Sequence, residues 1–440
     1  MGYTKDLWTR PEKQPDGKTK RVRNPKRWGK GKRWLACWVD PDGKESSKAF
    51  TNKDAATRYW QGKETDKERG EYYDEKAGDV LFGTFGERWL SSRIVDPSSS
   101  IQYESKYRLH VQPTFGERKV RQIKPSHIQE WLSQLRERYE PSTAVAAFLV
   151  LKGALDLAVA DGALKQNPAK SDIVRAPSNP PKEIEAWADD RVVALIGAHS
   201  ERYRLVPILG AACGLREGEI FGLAVDPDNP AKSDIDFEAK LVRVRRQVKK
   251  IGREYVFALP KNDRERIVPL PDWAAEAVRE HIDRYPPRPY TLPWEKANGK
   301  AHTCNLLLRW HTDDKHIRAR NFSESVWKPA LVTAGIIVPP TRVKDEKPGK
   351  DRKKKSRLRY ATTRKEGTHQ LRHFYASVTL AEGVSIKELA EYLGHRDPGF
   401  TLRVYAHMLP CSHERARVAI DNRMRHRFQP PDGTGPELAS

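Results

Sequence analysis

Four prolines fall between residues 167 and 181, at Pro168, Pro177, Pro180 and Pro181. A proline fixes φ, removes a backbone donor and turns the preceding residue away from helix. Neither a helix nor a central strand runs through such a stretch, so it reads as an extended linker. The 440 residues are therefore separate bodies on its two sides, and the length suits roughly two to four domains.

The two sides differ in periodicity. After Pro125-Ser126, the residues Ile128, Trp131, Leu132 and Leu135 recur at i, i+3, i+4 and i+7. Ser142 opens another helix through Asp161, with Gly162 at its C-terminal end. Phe85, Trp89 and Leu90 start an earlier stripe, while Ile101, Tyr107, Leu109 and Val111 form an irregular one. About four short helices make an all-α unit over residues 80–175. Beyond the linker, residues 186–425 mix helices with strands at 241–245, 255–259 and 266–270. Ala258 to Leu270 reads as a β-hairpin with Lys261 near its turn. The tail, 428–440, is read as disordered on its Pro and Gly content.

The N-terminal side opens on a Lys/Arg-rich run over residues 1–33 that contains Lys20, Arg21, Arg23, Lys26, Arg27 and Arg33. Such a run lacks the apolar residues to build a core and is expected to be mobile. Arg33–Val39, a Pro-Asp-Gly turn and Lys44–Phe50 read as a β-hairpin. Thr51 or Asn52 caps a following helix over 53–69. Residues 1–75 are thus a small basic module.

Charge narrows the partners. There are 81 Lys and Arg against 59 Asp and Glu, a net charge of +22. An excess this large favours a polyanion. The four cysteines are scattered and form no CxxC pair, which excludes a zinc knuckle or a disulfide framework and fits a reducing, cytoplasmic setting. The N-terminus has no apolar signal-peptide core. No stretch reads as the ~20 apolar residues that span a bilayer, so no membrane partner is expected.

The chemistry-bearing residues gather near the C-terminal end. His369-Gln-Leu-Arg372-His373 sits at the start of a helix that Thr368 can cap and Gly383 can stop. His369 and Arg372 share a face there, where free N–H groups and the helix dipole favour an anion. A helix ended by Gly394 presents His395, and Tyr405 follows after Asp397-Pro-Gly. Upstream, Gly-Leu-Arg216-Glu-Gly-Glu219 sets an arginine in apolar surroundings, with a carboxylate one turn on to hold it. Each piece alone also suits an ordinary amphipathic helix, surface ion pair or turn. A metal site at His369 and His373 would lack a carboxylate and would face Arg372, so no metal is expected.

Together and in this order, Gly-Leu-Arg216-x-x-Glu219, Lys261, His369-x-Leu-Arg372-His373, Leu-Gly-His395 and Tyr405 resemble the tyrosine recombinases, or phage-type integrases. The resemblance implies that Tyr405 attacks a DNA phosphate to form a 3′-phosphotyrosine. Arg216 and Arg372 would clamp the non-bridging oxygens, with His369 and His395 completing the pocket and His369 accepting the proton. Lys261 would protonate the leaving 5′-oxygen, and Glu219 and His373 would support. Two features depart from the pattern. Tyr405 lies ten positions after His395, one more than in many family members, and a basic insert at 342–365, including Arg352, Lys353, Lys354 and Lys355, precedes His369.

The implied protein is a multidomain α+β recombinase: a β-hairpin/helix arm-type module at 1–75, an all-α core-binding domain at 80–175 and a mainly α catalytic domain with a small antiparallel sheet at 186–425. It would integrate or excise a mobile element without cofactor, as a homotetramer on double-stranded DNA with core-type and arm-type sites. An excisionase or a DNA-bending protein is an expected accessory. The alternatives are a type IB-like topoisomerase and a non-catalytic DNA-binding protein.

Overall fold

The structure, a computed structural model, describes residues 2–14, 18–41, 43–70, 72, 77–179, 184–261, 263–344, 356–406, 417–418 and 420–424. The expected disordered tail and the basic residues Arg352, Lys353, Lys354 and Lys355 lie outside the described residues. The chain divides into two compact units, residues 1–180 and 181–440.

In the first unit, β1 (Tyr3–Asp6), β2 (Thr9–Lys13), β3 (Thr19–Arg23), β4 (Trp34–Val39) and β5 (Glu45–Phe50) precede α1 (Lys53–Glu68). The expected β4–β5 hairpin forms, turning at Gly43 with φ +85°. Asn52 caps α1, accepting from the Asp54 and Ala55 amides. The basic run is not unstructured, contrary to expectation. Strand β1 joins β4 antiparallel, and β2 pairs with β3 to make a separate two-stranded ribbon. The physical reason is aromatic: Trp8 packs near Trp28, and Trp60 bonds to Thr4, so the run supplies its own anchors.

The helical part of this unit comprises α2 (Phe82–Ser92), α3 (Pro97–Lys106), α4 (Gln112–Phe115), α5 (Pro125–Arg138) and α6 (Pro141–Ala160). A π-helical turn, Tyr107–Val111, joins α3 to α4. That extra residue per turn explains the irregular stripe: Tyr107, His110 and Val111 turn inward while Leu109 faces solvent. Helix α6, 20 residues long, is apolar enough by length and composition to cross a membrane, contrary to the sequence reading. Phe148, Val150, Leu151 and Leu155 on it are buried in this unit's core. The linker also begins later than expected. Ala169 and Val174 belong to the same core, and Asn167 caps a short 3-10 turn, Pro168–Lys170.

The second unit opens with α7 (Asp189–Ala198), α8 (Glu201–Cys213) and α9 (Glu217–Phe221). Strands β6 (Ile235–Asp236), β7 (Leu241–Val244), β8 (Gln247–Ile251), β9 (Glu254–Ala258) and β10 (Arg266–Pro269) follow. The order β10-β7-β6 makes one antiparallel sheet, and β8 pairs with β9 in another. Ala258 to Leu270 is therefore not a hairpin. Strand β9 turns back on β8 through Gly252, at φ +61°, while β10 pairs with β7. Lys261 sits in the connection between the two sheets. Next come α10 (Asp272–Arg284), the hairpin of β11 (Arg288–Pro293) with β12 (Ala301–Leu306), α11 (Ala319–Phe322) and α12 (Lys328–Thr333). The ribbon of β13 (Thr341–Lys344) with β14 (Ser356–Arg359) leads to α13 (His369–Ala381), α14 (Ile386–Leu393) and α15 (Pro398–Tyr405). One apolar core runs through this unit, with Leu209 of α8, Leu371 and Tyr375 of α13, Leu389 of α14 and Tyr405 among its members.

Candidate active site

Two helix ends shape the pocket. Helix α8 stops at Gly214 and α14 at Gly394, both left-handed with φ near +61° and +62°. A side chain at Gly214 would also collide with Tyr375, because a Cβ there would lie 2.5 Å from its ring. The freed carbonyls at these ends point at one guanidinium. Arg372, 1% exposed on α13, donates to Gly214 O at 2.8 Å and to Leu393 O. It also donates to His395 Nε2 at 3.2 Å. Arginine always donates, so His395 carries its proton on Nδ1 and passes a hydrogen bond to Thr401 Oγ1, 2.7 Å away.

A second buried arginine joins the pocket from the sheet. Glu219, fully buried on α9, accepts from the Arg216 amide and from Arg216 Nη1, both at 2.9 Å. The spacing is that of a capping box, which explains a glutamate three residues past the start of the helix. The same carboxylate accepts two bonds from Arg266, at 2.9 and 2.6 Å. Burial pushes the Glu219 carboxyl up, but bonds and charge from Arg266, with the charges of Arg216 and Arg372, outweigh it and hold the pKa at about 2. Glu219 is thus an anion that spaces arginines.

Sequence reasoning missed Arg266. The available signal was its alternation with Val268 and Leu270, which sets a charge on the inward face of an apolar strand. Thr401 was missed too, having no motif of its own.

Tyr405, at the end of α15, is 1% exposed and lies 2.8 Å from His373 Nδ1. Burial pushes its phenol up to about 12, while the charges of Arg372 and Arg216 pull the other way. The ring of His373 meets that of His369 edge-on, with centroids 4.7 Å apart. All three imidazoles are held neutral. Burial and Arg372 lower His373 to about 4, and burial with Arg372 and Arg216 lowers His395 to about 3. His369 keeps a solvent-exposed side. Desolvation by its neighbours and the charges of His373, Arg372, Arg216 and Lys261 lower it to about 3. Lys261 is exposed, close enough for its charge to act on His369.

The structure thus brings Arg216, Glu219, Arg372, His369, His373, His395 and Tyr405 into one place, with Lys261 at its edge. Two details differ from expectation. The imidazole touching the phenol is His373, not His369. Thr368 does not cap α13 with its side chain, because its hydroxyl donates to Glu217 Oε2 at 3.0 Å. Burial pushes the Glu217 carboxyl up to about 7 against that bond, and its Oε1 is buried without a hydrogen-bond partner. Helix α15 also absorbs the long spacing before Tyr405, since Asp397 caps it by accepting from the Gly399 amide. Among the N-terminal residues, Lys20, Arg21, Arg23, Lys26 and Arg27 are exposed. Arg33 instead pairs with buried Asp6 at 3.0 Å, since a buried carboxylate requires a counter-charge.

The pocket has the electrostatics of an anion site: buried guanidinium groups, neutral imidazoles and a phenol at one edge. The chain is similar to known proteins in sequence and in fold. The chain is 26% identical over 357 residues to a "Tyrosine recombinase XerC-like" of Caldanaerobacter subterraneus, covering 76% of this chain and 80% of that one. It is 25% identical over 209 residues to an "Integrase" of Mycobacterium phage D29, covering 47% and 53%. Among solved structures, the Tn1549 transposon integrase in complex with transposon right end DNA aligns with a TM-score of 0.58 at 18% identity, over 79% of this chain and 100% of that one. Residues 81–136 match the "Phage integrase, N-terminal SAM-like domain". Residues 186–410, half of the chain and the part that holds the pocket, match the "Phage integrase family", and the chain belongs to that family.

Proposed function

We propose that this site-specific DNA recombinase cuts and reseals DNA through Tyr405. The supporting observation is the convergence of Arg216, Arg372, His395 and Tyr405 from four separate elements around one pocket with a net positive charge. Phosphoryl transfer depends chiefly on positioning and charge stabilisation. Arg216 and Arg372 hold the non-bridging oxygens of a scissile phosphate, with His395 beside them. The Tyr405 oxygen attacks phosphorus, the bond to the 5′-oxygen breaks, and Lys261 supplies the proton that makes a 5′-hydroxyl. The phenol proton passes to His369, whose basicity rises once phosphate charge enters the cationic pocket. His373 is the resting partner of Tyr405 and releases it when DNA binds. A second 5′-hydroxyl then displaces the tyrosine and reseals the strand. The energy of the broken bond stays in the phosphotyrosine, so the chemistry requires neither ATP nor a metal.

The wider organisation follows the same reading. Residues 80–175 grip a core-type site, supported by the SAM-like match, and residues 1–75 bind an arm-type site, supported by their charge. The working assembly is a homotetramer on double-stranded DNA that integrates or excises a mobile element, with an excisionase or a bending protein as accessory.

The test is a nicked suicide duplex built from DNA flanking the gene. The wild-type chain is expected to form a covalent adduct, and Tyr405→Phe to bind without forming one. An adduct from Tyr405→Phe would remove Tyr405 from its role. No adduct from the wild type would leave a DNA-binding protein, and supercoil relaxation without strand exchange would indicate the topoisomerase-like alternative.

A further inference from the structure

The N-terminal sheet contains an excursion. The chain leaves it after Asp6, runs out through β2 and β3, and returns at Arg33. The base is clamped three ways: the Asp6–Arg33 ion pair at 3.0 Å, the Leu7 amide on Arg33 O at 2.8 Å, and the Asn24 amide on Trp8 O at 2.8 Å. Residues 7–33 carry eleven Lys and Arg against Glu12 and Asp16. Apart from Thr9 and Val22, both strands are exposed along their length, so the ribbon serves no core.

Its two faces differ. Thr9 lies opposite Arg23, Pro11 opposite Arg21 and Lys13 opposite Thr19, so Lys13, Arg21 and Arg23 share one face with no acid among them. The other face sets Glu12 opposite Lys20 and Arg10 opposite Val22, and Arg10 pairs with Glu12. On the cationic face, side chains already hold both arginines. Arg21 Nε donates to Thr9 Oγ1 at 3.0 Å, and the Arg23 guanidinium lies 4.5 Å over the Trp28 ring. Trp28 is itself 40% exposed. A guanidinium stacked this way keeps its N–H edge for an acceptor, and less freedom is lost when it binds.

We propose that the β2–β3 ribbon is a duplex-DNA contact of the N-terminal module, laying its Lys13/Arg21/Arg23 face along the phosphate backbone at a groove. This rests on the arm-type reading of residues 1–75 and names the element that carries it. Paired strands about 4.8 Å apart fit a major groove about 12 Å wide. Cations two residues apart on a strand stand about 6.8 Å apart, far enough to meet separate phosphates. Arg33, the most conspicuous arginine beside the ribbon, is a clamp and not a contact.

The test uses the full chain and a mixed-sequence duplex. Arg21→Ala with Arg23→Ala should lower the slope of log K against log salt by about two. That makes affinity roughly tenfold less sensitive between about 50 and 200 mM salt. Lys44→Ala with Arg58→Ala removes the same charge from the sheet turn and α1 of this module, and should leave the slope unchanged. A photo-crosslinking residue at Thr19 should capture the duplex more than one at Lys44. Capture from Lys44 alone would overturn the ribbon and leave the arm-type reading standing. Capture from neither would overturn both. Preferential capture of a single strand at Thr19 would overturn the duplex assignment.

Discussion

Arg372 and Arg23 show two ways of using a cation. Arg372 is 1% exposed and bonded to two carbonyls and an imidazole, while Glu219, itself buried, spaces its neighbours Arg216 and Arg266. Arg23 stands in solvent against the face of Trp28. A buried cation is costly without partners, so the pocket comes with a network, and removing one member strands the rest. A surface cation loses little by exposure, so the ribbon can carry many, each with a small and nearly independent effect on stability.

The sharpest break of this contrast is Glu219→Gln. It leaves buried Arg266 and half-buried Arg216 without a counter-charge and should cost about 3–5 kcal/mol in urea denaturation. The pH dependence gives a second measure. The folded pKa of Glu219, about 2, lies below the unfolded value of 4.5, so its stabilisation is full above 4.5 and is lost as pH falls towards 2. That amounts to about 3 kcal/mol, and the variant should lack this acid limb.

Glu217 has the opposite sign. Its folded pKa of about 7 lies above 4.5, so its contribution is intact below 4.5 and declines as pH rises through 7. Glu217→Gln should therefore match the wild type at pH 4.5 and be more stable at pH 8, by roughly 1–3 kcal/mol. A thermal-melt series that shows no pH-dependent difference would break this reading.

His373→Ala should cost about 1 kcal/mol for the lost bond to Tyr405. It should also make the phenol more accessible to nitration, read by mass spectrometry. Smallest of all, Arg21→Ala with Arg23→Ala should change stability by less than about 0.5 kcal/mol, so that its effect lies in DNA binding alone. A large loss of stability there would erase the distinction between the two regions.

Much of the site was legible before the fold. Gly394 reads as the end of a helix, and α14 does stop there in the left-handed conformation. Glu219, one turn on from Arg216, was expected to hold it, and its carboxylate does accept from the Arg216 guanidinium. What failed were assignments that depend on which strand pairs with which. The stretch from Ala258 to Leu270 has the local chemistry of a hairpin, yet β9 and β10 take other partners. The basic run at 1–33 lacked apolar periodicity, but two tryptophans and a clamp order it.

The chain's chemistry and its order, from Arg216 through Lys261, His369 and Arg372 to His395 and Tyr405, were determined by sequence alone, because side-chain type and local helix signals are local properties. The state of those groups was a matter for the tertiary structure. Arg266 reaches Glu219 across 47 residues, Arg372 reaches the Gly214 carbonyl across 158, and Tyr405 rests buried on His373. Contacts that distant depend on which faces pack together, and packing sets the desolvation and neighbouring charge that shift each group's proton affinity.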